Sequence, residues 1–574
     1  MTSFRIEHLT FDNQAVAAWQ PIDIAHSNWP VVYALNSARE IYIGETLDAA
    51  GRFRQHLGKP TMAPLRTIRV VIDDTFNKSV CLDLESFLIR LLAGEGHFQV
   101  LNANAGITDR NYYDRNRYQQ LFGDIFDELR REGLFQRSIK DIENSDLFKL
   151  SPFKSLSEDQ ALVVLDIMEG LFDDLEAGRR HSIVIQGDPG TGKTIVGIFL
   201  IKLLRDIQTA DLHDEFYTES VFSDFFLPDY ASLLKDCRIG LVVPQQSLRD
   251  SIRKVFRQTP KLAQPMVLTP FDVGKSDEEW DLLIVDETHR LNQRANQSSG
   301  MRNRDFGLIN QKLFGADDYS RTQLDWIEAK SRYQIYLLDS AQSVRPADLP
   351  PALVASLIDM AQADQRLYRL HSQMRVRAGS DYVGYVRGVL DGSVTVPQSF
   401  GDYDLRLYDD FAAMQHAIQR QDRRHGLARL VAGFAWPWAS KRNKAAYDIE
   451  LDGVRLRWNS TDKDWINSKG SLNEVGSIHT VQGYDLNYAG VIIGPDLRFD
   501  PVTGRTTFHR ESYFDAKGKE NNPRLGRTYT DQELLGFVRN IYSVLLTRGM
   551  RGTYVYAVDP ALREHLRRFI PAAA

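Results

Sequence analysis

Apolar positions along this chain follow two rhythms. From about residue 156 onward, short unbroken apolar runs alternate with longer helical stretches: SIVIQG, RIGLVVP, DLLIVDE, YQIYLLD, ARLVAGF, AGVIIG and TYVYAVD. Unbroken runs of this kind predict strands of parallel sheets covered on both faces by helices. Seven of them exceed one small sheet, so two α/β domains are expected. Before residue 110 the runs are shorter and mixed. VVYAL and EIYIGET predict an antiparallel pair turning at NSAR, LDAAGRFRQHL a helix, LRTIRVVID a strand and LDLESFLIRLLAG a second helix. Between the two regions lies DRNYYDRNRYQQLFGDIFDELRREGLFQRSIKDIENSD, whose charge and spacing predict a helical connector. The expected organisation is α/β throughout, with a small front domain over 1–110, the connector over 111–155, and α/β domains over 156–345 and 346–574.

Bulk properties narrow the function classes. The 574 residues are too many for one core, and 43% hydrophobic with 25% charged content is ordinary for a soluble globular protein. A net charge of −6 excludes a uniformly basic nucleic-acid binder, so any such contact must be local. Two distant cysteines, Cys81 and Cys237, make neither a disulfide framework nor a zinc site. No leader-like segment or apolar run long enough to span a membrane stands out, and a cytoplasmic location without membrane partners is expected.

The chemistry sits in the middle. Gly187, Asp188, Pro189, Gly190, Thr191, Gly192, Lys193 and Thr194 form GDPGTGKT between a predicted strand and a predicted helix. In that context the glycines let backbone N–H groups wrap phosphate, Lys193 reaches the β- and γ-phosphates, and Thr194 ligates magnesium. DLLIVDETHRL ends a later strand on Asp286, expected in the magnesium shell, and Glu287, expected to take the proton of the attacking water. ATP and Mg2+ are therefore the expected cofactors, and ATP hydrolysis the expected reaction.

Further segments resemble superfamily 1 helicase motifs in order: Gln160 in LSEDQ, LVVPQQSLRDSIRKVF, Asp339 and Gln342 in LLDSAQSVRP, and Arg375 in LHSQMR. SIHTVQGYDLNYAGVIIG then supplies Thr480, Gln482, Gly483 and Asp485, and VLLTRGMRGTYVYAVD supplies Arg548. With LVAGFAWPW, the stretch from about 156 to 574 is most similar to the Schlafen group 3-like helicase domain. The resemblance implies two RecA-like domains, adenine read by Gln160, nucleotide contacts from Gln342, Gly483 and Asp485, transition-state arginines Arg375 and Arg548, and nucleic acid, DNA in the first place, as partner. The modest inserts favour translocation over unwinding.

The front domain resembles the GIY-YIG nuclease family over roughly 28–105. Tyr33 stands at the first tyrosine position, Tyr42 to Gly44 reads YIG, and Arg52, His56, Glu85 and Asn102 stand at the family's later positions. It departs in having Val-Val-Tyr for the first triplet and a gap of eight residues to YIG. The resemblance implies phosphodiester cleavage: Tyr33, with His56 or Tyr42, activating water, Arg52 neutralising charge, and Glu85 holding one Mg2+ or Mn2+. A motor fused to an endonuclease acting in defence or repair is the first reading. A front domain that binds without cutting, and an ATP-gated switch for protein partners, stay open.

Overall fold

The computed structural model describes residues 4–102, 111–154, 156–210, 221–294, 297, 299–339, 344–373, 376, 381–461, 464–481 and 484–573. These divide into two compact units, one of residues 1–165, 198–236 and 251–266, the other of 166–197, 237–250 and 267–574. No helix among the described residues is long and apolar enough to cross a membrane.

In the first unit, β1 (Phe4–Thr10), β2 (Val31–Asn36), β3 (Glu40–Thr46), β4 (Thr67–Asp73) and β5 (Gln99–Val100) form one sheet in the order β1-β4-β2-β3-β5. The β2–β3 hairpin is antiparallel and places Tyr33 opposite Gly44. Alternation along β2 gives the sheet two apolar faces. Tyr33 and Leu35 pack with Tyr42 of β3 and with Phe53 of the helix Ala49–Leu57. Val32 and Ala34 face the helix Lys78–Glu95. The segment read as a connector is helical at Arg115–Arg131, Ile139–Glu143 and Asp146–Lys149. It is more than a connector, because Tyr118, Phe122, Ile125, Phe126 and Leu129 are buried in the same core as Val32 and Leu84. Their i, i+4, i+7, i+8, i+11 spacing gives that helix one apolar stripe, which the surrounding charge obscures in the sequence.

The second unit holds two large sheets and a two-stranded one. β6 (Ser182–Gly187), β7 (Ile239–Val242), β8 (Val267–Leu268), β9 (Trp280–Val285), β10 (Ser331–Leu338) and β11 (Leu367–Leu370) run parallel in the order β11-β6-β10-β9-β7-β8. Strand β11 joins this first lobe although it lies past residue 345. Its register against β6 brings Leu370 opposite Gly187. The second lobe contains β12 (Asp404–Leu407), β13 (Ala428–Ala432), β14 (Ile449–Leu451), β15 (Val454–Trp458), β16 (Glu474–Ser477), β17 (Leu486–Ile493) and β20 (Gly549–Ala557), ordered β12-β20-β17-β13-β16-β15-β14. All its pairings are parallel except β14–β15. A separate hairpin, β18 (Leu497–Asp500) with β19 (Arg505–Phe508), follows β17. Every apolar run singled out from residue 156 onward is a strand in one of the two lobes, and both lobes are built on the largely parallel sheets expected of RecA-like domains.

Candidate functional site

The phosphate loop joins β6 to the helix Lys193–Gln208. Gly190 and Gly192 have φ of +90° and +83°, a region side chains avoid. A Cβ on Gly187 would lie 2.4 Å from Thr191 Oγ1. The Lys193 ammonium donates to the carbonyls of Gly187 (2.6 Å) and Asp188 (3.0 Å) and lies 3.8 Å from Asp339. The Thr194 hydroxyl donates to Asp286 at 2.9 Å.

Asp286 is buried, and its carboxyl is pushed up to about 7, first by burial and then by the charge of Glu287. A buried acid beside a second acid and a threonine hydroxyl is a set that a hard cation stabilises, so these residues fit magnesium bound with a nucleotide. Glu287 has a left-handed backbone, φ +48°. Burial works against its charge, but His289, Arg290 and Lys193 pull its carboxyl below the usual range. His289 Nε2 lies 3.2 Å from Glu287, and its Nδ1 accepts from the Asp339 N–H at 3.4 Å. His289 thus joins the acidic strand end of β9 to the end of β10. It went unread in the sequence because a lone histidine after two acids has no motif of its own.

The second lobe supplies a cation to the same loop. Arg387 sits on the helix Asp381–Asp391, whose Tyr382, Tyr385, Val386 and Leu390 belong to the second lobe's core. Its guanidinium pairs with Asp188 at 3.0 Å and lies 3.9 Å from Asp339. Gln373 donates to the Pro189 carbonyl at 2.8 Å. Neither was read from the sequence: Arg387 is a polar position on an amphipathic helix, which resembles any solvated face, and Gln373 stands in a loop.

Arg548 is buried just before β20, donates to the Tyr484 carbonyl at 3.3 Å, and accepts from Leu486 through its own carbonyl at 3.1 Å. It is thereby tied to the segment containing half-buried Asp485. Buried Thr480 hydrogen-bonds Ser477 at 2.9 Å. Gln342, Arg375, Gln482 and Gly483 lie outside the described residues. Gln160 belongs to the other compact unit. Its carboxamide accepts from Ser157 N (3.1 Å), and Ser157 Oγ accepts from Gln160 N (3.2 Å), a reciprocal cap on the helix Glu158–Ala177.

The front-module residues gather where β2, β3 and the helix Ala49–Leu57 meet. The Tyr33 hydroxyl is 2.8 Å from His56 Nε2, and the rings of Tyr33 and Tyr42 are 6.2 Å apart. Gly44 is required here: a Cβ would stand 2.3 Å from the Tyr33 hydroxyl. Arg52 hydrogen-bonds both tyrosines. Asn102 clamps the YIG strand, accepting from Ile43 N (3.0 Å) and donating to Ile43 O (2.7 Å). That contact fixes the backbone between Tyr42 and Gly44. Half-buried Glu85, on the helix Lys78–Glu95, is the carboxylate whose charge acts on both tyrosines. Burial, more than that charge, pushes both phenols above their usual range. Burial also lowers His56 to about 3, with Arg52 and Lys59 adding to the shift. Among the described residues no group of three acidic, histidine or cysteine side chains could hold a metal. A cation at Glu85 would draw ligands from water and phosphate as well as from the chain.

His56 makes a pH test of this geometry. Its Nδ1 is buried with no hydrogen-bond partner among the described residues. The folded chain keeps the ring neutral down to about pH 3, whereas an unfolded histidine takes a proton near 6.5. The unfolded state then binds more protons between those values, and stability is lost as pH falls through that window. The stability advantage of the wild type over His56→Asn is expected to narrow from pH 7 to pH 4, by up to about 1.4 kcal/mol per pH unit. Denaturant unfolding of both proteins across that range checks it, and a constant gap would place His56 in water.

The family model described as Schlafen group 3, DNA/RNA helicase domain, matches residues 180–559. An uncharacterized protein of Saccharomyces cerevisiae is 26% identical over 440 residues, covering 71% of this chain and 88% of that protein. Among solved structures, the arterivirus nonstructural protein 10 helicase, determined with DNA, is 13% identical with TM-score 0.27, over 70% of this chain and 65% of that one. Pif1 helicase from Candida albicans is 12% identical with TM-score 0.28, over 72% and 96%.

Proposed function

The chain belongs to the Schlafen group 3 DNA/RNA helicase family, and from that premise we propose an ATP-driven motor on nucleic acid whose front module cuts phosphodiester bonds. The observation that carries the motor reading is the meeting of Lys193 and Thr194 of the phosphate loop with Asp286 at the end of β9, and with Arg387 arriving from the second lobe. Magnesium held by Thr194 and Asp286 would supply charge neutralisation at the phosphates. The chain's own groups do the rest. Lys193 leaves the loop carbonyls for phosphate, and Glu287, held as a carboxylate, accepts the proton of the attacking water. Asp339, against Lys193 and near His289, senses which state the loop is in. Arg387 and the proposed Arg375 and Arg548 couple that state to the second lobe, so that each hydrolysis loosens and re-forms the grip between lobes. Gln160, Gln342, Gly483 and Asp485 are proposed nucleotide contacts.

The nuclease reading rests on Tyr33, His56 and Tyr42 gathered over Gly44 with Arg52 and Glu85 beside them. Glu85 would hold a cation that supplies positive charge at the scissile phosphate, Arg52 would neutralise the charge that develops, and the Tyr33 hydroxyl, hydrogen-bonded to the neutral His56 ring, would orient the attacking water. A second reading has its own support. Tyr33 and His56 are 1% and 0% exposed, which suits a module that docks on nucleic acid without cutting it. One experiment covers both. ATP turnover is measured with no nucleic acid, single-stranded DNA, duplex DNA and RNA, and the same samples are run on a gel. Stimulated turnover with cleavage supports the fused enzyme, stimulation with intact strands supports docking, and turnover indifferent to all four contradicts the motor.

Arg387→Ala separates the lobe contact from nucleotide binding. A charge-assisted contact of this kind is worth about 1.5–3 kcal/mol, or about 10–150-fold. Stimulated turnover is expected to fall by that factor, with a smaller change in ATP affinity. Equal losses in both would make Arg387 a simple nucleotide ligand.

A further inference from the structure

Beyond the nucleotide cleft, we propose that the segment 433–447 of the second lobe is a stacking platform for the unpaired bases of a single nucleic-acid strand, an inference that rests on the motor reading. The segment GFAWPWASKRNKAAY leaves the end of β13. Its half-buried Phe434, Trp436 and Trp438 gather around buried Trp458, with centroid distances of 5.4, 6.2 and 6.3 Å. Phe434 lies nearly parallel to Trp458, at 6°, and Phe434 and Trp438 are 5.9 Å apart. Leaving large rings part-open is unfavourable in water unless a partner covers them.

Charge indicates the partner. Lys441, Arg442 and Lys444 are exposed, and no acidic residue occurs from Gly433 to Tyr447 in a chain of net charge −6. Lys441 Nζ lies 5.2 Å from the Trp438 ring, and Arg457 lies 4.2 Å from the ring of Tyr447, which is 49% exposed. The nearby acid Asp515 is paired with His479, whose ring is 6.4 Å from Phe434. Part-exposed aromatic rings beside exposed cations fit bases that have lost their stacking neighbours together with the phosphates between them. A duplex hides those faces, and a proline-rich peptide lacks the charge.

The platform is held stiffly, as a recognition surface must be. Buried Asp448 accepts from Ser440 N (2.7 Å), Ser440 Oγ (2.6 Å) and Trp458 N (2.8 Å), pinning the far end of the segment to β15. Phe514 N donates to Phe434 O at 2.8 Å. Ala435 lies so close to Gly494 that a Cβ there would come within 2.2 Å of it.

The test measures affinity of the full chain for labelled oligo-dT, oligo-rU and an abasic sugar–phosphate strand of equal length. Trp438→Ala is expected to weaken binding of both base-bearing strands about 5–150-fold and to leave the abasic strand unchanged. Trp438→Phe, which keeps a stacking face, is expected to restore most of the loss. Thermal unfolding of each variant reads the fold separately. Trp438→Ala binding oligo-dT as the wild type does, or losing the abasic strand equally, overturns the platform and leaves the motor standing. A wild type that binds no single strand overturns both.

Discussion

Glu287→Gln is expected to lower ATP turnover by about 10²–10⁴-fold while ATP still binds. The substitution keeps the shape of the side chain and the left-handed backbone at φ +48°, and the Asp286 carboxylate still accepts from the N–H of residue 287 at 3.0 Å. What it removes is the carboxylate that His289, Arg290 and Lys193 hold in its charged form against burial. Binding, which rests on the glycines and Lys193, survives, and hydrolysis, which needs a proton acceptor beside the γ-phosphate, does not. Lys193→Ala is the contrasting case, losing affinity and turnover together. Equilibrium binding of labelled ATP and steady-state turnover on the same preparations separate the two. Turnover of Glu287→Gln within threefold of wild type would move the proton to another group.

The second large effect is in the front module. Glu85→Gln is expected to reduce strand cleavage by at least about 10²–10³-fold, with ATP turnover unchanged. Among the described residues no cluster of acids, histidines or cysteines could hold a cation in its place. The amide keeps the volume and loses the charge that a hard cation needs. A cleavage gel and an ATPase assay on the same protein read the two outcomes. Cleavage at the wild-type rate would detach Glu85 from the chemistry and favour the docking reading, in which buried Tyr33 and His56 are structural.

Legibility in the sequence followed physical cause. Runs such as DLLIVDE and AGVIIG were readable because a strand covered on both faces must be apolar throughout. β11 was not, because LYRL is a four-residue edge strand with one buried residue and carries too little pattern. GDPGTGKT was readable because wrapping phosphate with backbone fixes where glycine must stand, as the φ values of Gly190 and Gly192 show. YIG was readable for a related reason, since Tyr33 lies over Gly44 and leaves no room for a side chain. Arg387 and His289 were missed because each acts through where its element is carried, and no local spacing encodes that. The same holds for the stripe Tyr118 to Leu129, where polar neighbours masked a face that only the folded core reveals.

ATP-dependent displacement of streptavidin from the end of a biotinylated single strand tests motion along nucleic acid most directly. The motor account predicts that displacement accelerates with ATP, stays at the spontaneous rate with a non-hydrolysable analogue, and is absent in Glu287→Gln. Displacement at one common rate with ATP, with the analogue and without nucleotide would contradict it.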